Sequence, residues 1–200
     1  TDENFYFVMA DRFANGDTDN DTGGIAGGRL EHGFDPKHRG FYNGGDLAGL
    51  LQKIDYIEGL GTTSIWLTPS FKNKAVQIDG TGYHGYWITD FLQIDPHFGT
   101  NEEFREFIKQ AHARGLKLHA WFNPFRAATT EYGPKMPDSH ISRQYPWLVK
   151  TSGRTQWLDP SSDFVRNRAI ATILDVVNRY DIDAVHLDDR VLDDDLLHAR

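Results

Sequence analysis

Residues 183–190, Asp183-Ala184-Val185-His186-Leu187-Asp188-Asp189-Arg190, read as a short apolar strand that ends abruptly on two carboxylates. Acids at the C-terminal end of a buried parallel strand are where barrel enzymes keep their chemistry. Asp188 and Asp189 are therefore candidate catalytic residues, and the bland reading, acids that merely end the strand and cap the next element, stands beside that one. Working back along the chain, strands are predicted at about 4–10, 64–68, 117–122 and 184–187. Helices fall between them. Leu47, Leu50, Leu51, Ile54, Ile57 and Leu60 recur at helical spacing behind Asp46 as N-cap. Thr100 and Glu103 form a capping box ahead of Phe104, Phe107, Ile108 and Ala111, with Gly115 to close, and a third helix covers about 163–180.

Strand-helix alternation calls for parallel strands joined by right-handed crossovers. The long loops, 11–45, 69–99 and 123–162, follow strands, and the short ones follow helices. That asymmetry marks a site on the C-terminal face of a barrel. The expected fold class is thus α/β, half of a TIM barrel: about four parallel strands with helices outside, one domain over residues 1–200. A half barrel has two open sheet edges. It is expected to associate with itself or another half, or to be a fragment of something longer.

Hydrophobic residues at 39% and aromatics at 13% suffice for a real core in 200 residues. No run approaches the ~20 apolar residues of a membrane span. The net charge of -8, with no Lys/Arg block, argues against nucleic acid. Zero cysteines exclude disulfides and thiolate metal sites. The chain runs almost at once from Thr1 into Phe5-Tyr6-Phe7-Val8, so a mature form without a signal peptide is expected.

The loop Asp11-Arg12-Phe13-Ala14-Asn15-Gly16-Asp17-Thr18-Asp19-Asn20-Asp21 gathers hard oxygen donors around a glycine. Calcium takes such ligands, and solvated turns use the same residues without metal. Tyr83-His84-Gly85-Tyr86-Trp87 sets three aromatic rings and an imidazole past the second strand. Sugar faces stack on aromatics, so this is a candidate glucan platform, with a hydrophobic plug as the alternative. His119 and His186 alternate with apolar residues on neighbouring strands. With Asp188 and Asp189 they form a third, minor possibility, a zinc-dependent hydrolase.

Residues 1–115 resemble the alpha-amylase family, glycoside hydrolase family 13, in Phe7-Val8-Met9-Ala10-Asp11-Arg12-Phe13-Ala14-Asn15-Gly16-Asp17, Gly44-Gly45-Asp46-Leu47, Ser64-Ile65-Trp66-Leu67-Thr68-Pro69 and Tyr83-His84-Gly85-Tyr86-Trp87. The resemblance implies a Ca2+ site at Asn15, Asp17, Asn20, Asp21, the Gly44 carbonyl and Asp46. It implies alpha-glucan or maltooligosaccharide contacts at His84 and Tyr86, flanked by Tyr83 and Trp87, hydrolysis of alpha-glucosidic bonds, and a secreted or periplasmic protein. Asp188 falls at the family's nucleophile position.

Three positions depart from that pattern. His119 and Pro124 stand where the family has Asp and His around Asn123, and His186 stands where it has Arg. The acid/base Glu that comes after a fifth strand has no counterpart; Glu131 is the only Glu after residue 106. From about residue 116 the chain instead resembles a second group of glycoside-hydrolase-like barrels, once listed as a domain of unknown function, in Leu118-His119-Ala120-Trp121-Phe122-Asn123-Pro124-Phe125-Arg126, Trp157-Leu158-Asp159-Pro160 and Ile182-Asp183-Ala184-Val185-His186-Leu187-Asp188-Asp189. The expectation is a chimera, natural or engineered, joined near Arg114-Gly115-Leu116, with Asn123 and His186 as further substrate contacts and with little or no turnover alone. A structural or carbohydrate-binding module without catalysis is the alternative.

Overall fold

The computed structural model describes residues 3–77, 80–131, 133, 136, 138 and 140–187; the candidate acids Asp188 and Asp189 lie outside the described residues. Strand β1 (Phe5–Val8) runs into a long loop that holds α1 (Arg29–His32) and leads to α2 (Leu47–Gln52) and α3 (Ile54–Gly59). Strand β2 (Ser64–Leu67) is followed by the small strands β3 (Phe71–Asn73), β4 (Val76–Gln77), β5 (Gly80–Thr81) and β6 (Ile88–Ile94). Helix α4 (Asn101–Ala113) returns the chain to β7 (Lys117–Phe122). Next come β8 (Arg126–Thr129), α5 (Ile141–Gln144), β9 (Val149–Ser152) and β10 (Thr155–Leu158), then α6 (Asp163–Tyr180) and β11 (Ala184–Leu187).

The main sheet has the order β1-β2-β7-β11. Its parallel register places Phe5 beside Ser64, Val8 beside Leu67, Ser64 beside Lys117 and Leu67 beside Ala120. These are the four strands expected from the alternation of elements, and long connections leave their C-terminal ends. Residues up to Trp121 together with Val176–His186 form one compact unit, and Phe122–Asp175 belong to a second.

In the first unit, α4 shows how the sequence makes a helix. Thr100 Oγ1 accepts the Glu103 N–H at 3.1 Å while Glu103 Oε2 accepts the Thr100 N–H at 2.7 Å, a reciprocal cap worth about 1 kcal/mol. Phe104, Phe107, Ile108 and Ala111 then fall on one face and are buried. Gly115, at φ 71°, ends the segment. The helix expected behind Asp46 is instead two. Gly49 and Gly59 lower its propensity, and a turn at Lys53 (φ -109°, ψ 10°) separates α2 from α3. Leu47, Leu50, Ile54 and Ile57 still reach the core, whereas Leu60 stays exposed.

Two stretches read as loops contain sheet. Within 69–99, β3 pairs with β6 and β4 with β5, both antiparallel. In the second unit β8, β10 and β9 form an antiparallel three-stranded sheet. It packs around Ile141, Leu158 and Val165 with Phe125, Ala127, Tyr145, Leu148 and Val149. Prolines and short runs hid these strands: each has two to seven residues, and the β3–β6 and β8–β10 registers shift partway. Among the described residues no helix is long and apolar enough to cross a membrane.

Candidate functional site

Asp46 organises the first loop. Its fully buried carboxylate accepts four donors: the Gly16 N–H (3.0 Å) and Gly49 N–H (2.6 Å) on Oδ1, the Asp17 N–H (2.9 Å) and Asn20 Nδ2 (3.0 Å) on Oδ2. Four donors use the lone-pair sites of a carboxylate. Asn15 Nδ2 donates to Asp21 Oδ1 at 2.7 Å. Burial, and after it the Asp46 and Asp17 charges, holds the Asp21 carboxyl above its usual range against the Asn15 hydrogen bond. Gly44 (φ 91°) lies so close that a Cβ there would sit 2.5 Å from both Asn15 Nδ2 and Asp21 Oδ1.

All six residues expected to bind Ca2+ are thus brought together, and they fit a hard cation in part. Asn20 Oδ1 is buried without a hydrogen-bond partner, and the Asp46 and Asp17 charges act on Asp21, a crowding of negative charge that a cation would relieve. Asp46 fits less well as a direct ligand because N–H donors already occupy it. Among the described residues no three Asp, Glu or His side chains converge as a ready metal cluster.

The same loop reaches the aromatic segment through Arg12, which lies within the acidic motif but carries no role that composition or spacing assigns. Arg12 Nη2 donates to the Arg39 and Phe41 carbonyls, both at 2.9 Å, and its guanidinium lies 4.0 Å from the centre of the Tyr83 ring. Its Nε is 3.0 Å from Asp11 Oδ2, although that oxygen is not aligned for a hydrogen bond. Asp11 is 2% exposed, and burial above all pushes its carboxyl up to about 6 against the Asn43 hydrogen bond and the Arg12 charge.

Gly85 holds the aromatic segment down. At φ 83° its would-be Cβ lies 1.8 Å from the Pro69 carbonyl oxygen, so only glycine allows the loop to close there. His84 Nδ1 accepts the Tyr86 N–H at 3.0 Å, and Asn73 Oδ1 accepts the Trp87 N–H at 2.7 Å. The His84 ring stacks on Tyr86 (5.3 Å, 22°) and meets Trp87 edge-on (4.9 Å), while Tyr86 meets Trp121 of β7 edge-on (5.0 Å). Tyr83, His84, Tyr86 and Trp87 are all half-buried, a rigid shelf with part of each side chain outward.

On the sheet face, Trp66 tilts against Trp121 (5.2 Å) and stacks on His186 (4.6 Å, 15°). His119 Nδ1 lies 2.9 Å from His186 Nε2. The two histidines that alternation placed on neighbouring strands therefore meet. Burial, then the His186 charge, lowers the His119 pKa. Asn123 and Glu131 belong to the second unit. Trp66 and Trp121 join this face as well: the alternation that places His119 there places Trp121 two residues on, and Trp66 pairs with His119 in the β2–β7 register.

A four-stranded parallel sheet with helices between its strands and long connections beyond the strand ends is part of a β/α barrel. A family model described as alpha amylase, catalytic domain, matches residues 7–156. The chain belongs to the alpha-amylase family. An alpha-amylase from Streptomyces lividans is 50% identical over 133 residues, covering 63% of this chain and 14% of that protein. The structure of a cyclomaltodextrin glucanotransferase with a three-domain ABC distribution superposes with a TM-score of 0.77 at 33% identity, covering 93% of this chain and 44% of that one. An alpha-amylase from Geobacillus thermoleovorans, solved with acarbose, gives 0.68 at 31%, covering 94% and 40%. The chain thus spans less than half of each of these proteins. The family match, over residues 7–156, extends past Arg114-Gly115-Leu116.

Proposed function

We propose that this chain is the part of an alpha-amylase-type catalytic domain that binds alpha-glucan on the Tyr83–Trp87 shelf and carries the strand-end acids for alpha-glucosidic hydrolysis. One observation supports the reading: in the segment between β5 and β6 the His84 ring stacks on Tyr86, and Tyr86 meets Trp121 of β7 edge-on, contacts that fix half-buried rings whose outward parts a sugar can pack on. Asp188 is the proposed nucleophile, with Asp189 beside it, and Tyr83, Trp87, Asn123 and His186 are further proposed contacts. Retaining hydrolysis needs a second carboxyl group about 5–5.5 Å from the first. No residue of the chain is marked for that role, so weak or absent turnover by this chain alone is expected.

Calcium is proposed at Asp17, Asn20, Asp21, the Asn15 side chain and the Gly44 carbonyl, with Asp46 ordering the loop around it; the cation would supply the positive charge that Asn20 Oδ1 and Asp21 lack. The departures from the amylase pattern, His119, Pro124 and His186, all come after Gly115; a chimera joined there rests on these three positions alone, and the extension of the family match to residue 156 weighs against it.

The test is maltoheptaose titration followed by tryptophan fluorescence, with nitrophenyl maltooligosaccharide hydrolysis on the same samples. Tyr86→Ala is expected to weaken binding about two- to tenfold, the value of one aromatic contact. Asp188→Asn is expected to leave binding unchanged and remove any hydrolysis. A wild-type chain that does not bind, or a Tyr86→Ala variant that binds equally well, overturns the reading. Binding with no hydrolysis under any condition selects the non-catalytic glucan module.

A further inference from the structure

We propose that His119 and His186 form a two-imidazole site for a divalent transition metal of the zinc or copper type, on the sheet face and distinct from the hard-oxygen loop. His119 Nδ1 and His186 Nε2 point at one another across 2.9 Å. Two imidazole nitrogens at that distance share one proton, one ring donating and the other accepting. A tetrahedral zinc with Zn–N bonds of about 2.0–2.1 Å holds two such nitrogens about 3.3 Å apart. The ion sits off the line between the nitrogens, so the rings need to open by about 0.4 Å and each must turn its lone pair about 35° from that line to hold it.

No proton has to leave. When both rings are neutral, the bridging proton moves to the far nitrogen of its own ring, and both facing lone pairs become ligands.

The surroundings orient the pair and do not compete with it. His119 is 8% exposed, with the edge of Phe5 packed against it at 5.0 Å, and His186 lies flat on Trp66. The nearby charges have their own partners. Lys117 Nζ holds Glu3 Oε1 at 2.8 Å, and Asp183 Oδ2 accepts His112 Nε2 and the Leu118 N–H, both at 2.8 Å. Two nitrogen ligands from the protein leave the remaining coordination positions to water. Nitrogen donors select zinc or copper over calcium, which separates this site from the Asp17–Asp21 loop.

The stacking supplies the readout. A paramagnetic Cu2+ ion on His186 lies next to Trp66, and Trp121 is next in line, so binding quenches their fluorescence. Cu2+ is titrated into the full chain in the presence of excess Ca2+. Saturable quenching at one equivalent is expected. His119→Gln and His186→Gln should each raise the midpoint at least about tenfold, since loss even of an indirect supporting partner costs about 10- to 100-fold in metal affinity. His38→Gln, a surface histidine outside the pair, should leave it unchanged. A measurement free of variants accompanies this: in 15N-labelled wild-type chain, Zn2+ should shift the imidazole nitrogens of His119 and His186 ahead of the other seven of the nine histidines. Quenching that persists unaltered in both variants, or Zn2+ shifts confined to other histidines, overturns the proposal.

Discussion

At the residue scale the most consequential side chain is Asp46. It is the N-cap of α2, and it also fixes the loop from Gly16 to Asn20 through three further donors. Losing an N-cap acceptor costs about 1 kcal/mol, and each buried N–H left unsatisfied costs about 1–3 kcal/mol more. Asp46→Ala is therefore expected to destabilise the chain by about 3 kcal/mol or more, and Asp46→Asn, which keeps one acceptor oxygen, by less. Denaturant unfolding with and without Ca2+ measures both. The calcium proposal adds a condition. By mass action, Ca2+ at a hundred times its dissociation constant stabilises the wild type by about 2.7 kcal/mol, and it should do little for Asp46→Ala if that residue orders the ligands. Equal stabilisation of both would detach Asp46 from the metal.

At the scale of elements, legibility tracked the length of the repeat. The α4 cap and face are legible because a Thr-x-x-Glu box and a closing glycine bracket a helical period, and the helix over 163–180 and the strand at 184–187 because apolar residues recur at one period between short polar breaks. β3 to β6 and β8 to β10 were not, because two to seven residues between glycines and prolines carry no period of their own and gain their sheet partners only through tertiary contact. The same division holds in the site. Asp46, His84 and Tyr86 follow from motif and the meeting of His119 with His186 from alternation on neighbouring strands, whereas Arg12 over Tyr83 joins residues 71 positions apart that no period connects. Helix α5 offers a test at this scale. Its cap is His140, whose Nδ1 accepts the Ser142 N–H and lies 2.7 Å from Ser142 Oγ. Burial, then the Arg168 charge, lowers its pKa from the ordinary 6.5. A lowered pKa means that the unfolded chain takes up the proton first, so this contribution is complete above about pH 6.5 and is lost as pH falls below it. His140→Asn keeps a capping acceptor that does not titrate. The stability difference between wild type and His140→Asn, read from denaturant midpoints, should shift toward the variant between pH 7 and pH 5. A difference that stays flat would show that His140 caps nothing sensitive to protonation.

At the scale of the molecule, β1 is the outer strand of the main sheet among the described residues. It presents Phe5 and Phe7, 44% and 50% exposed, on the face that carries Trp66 and Trp121. The rings beside it form a connected set: Phe7 meets Trp66 at 5.2 Å, and Trp66 meets both Trp121 and His186. A sheet edge beside half-exposed rings favours contact with another apolar surface, and a second copy of the chain is the surface always at hand. Self-association that grows with concentration is therefore expected. Removing Phe7 from each copy of a symmetric pair removes two side chains, each worth about 1.5–3 kcal/mol when buried. Phe7→Ser should thus raise the dissociation constant at least about a hundredfold, since each 1.4 kcal/mol is tenfold. Light scattering across a dilution series measures it, with the far-ultraviolet spectrum as the check that the variant remains folded. The opposite pattern, a folded Phe7→Ser chain that associates as tightly as the wild type, would move the interface away from the aromatic face, for example to the exposed Ile170 and Leu174 on α6.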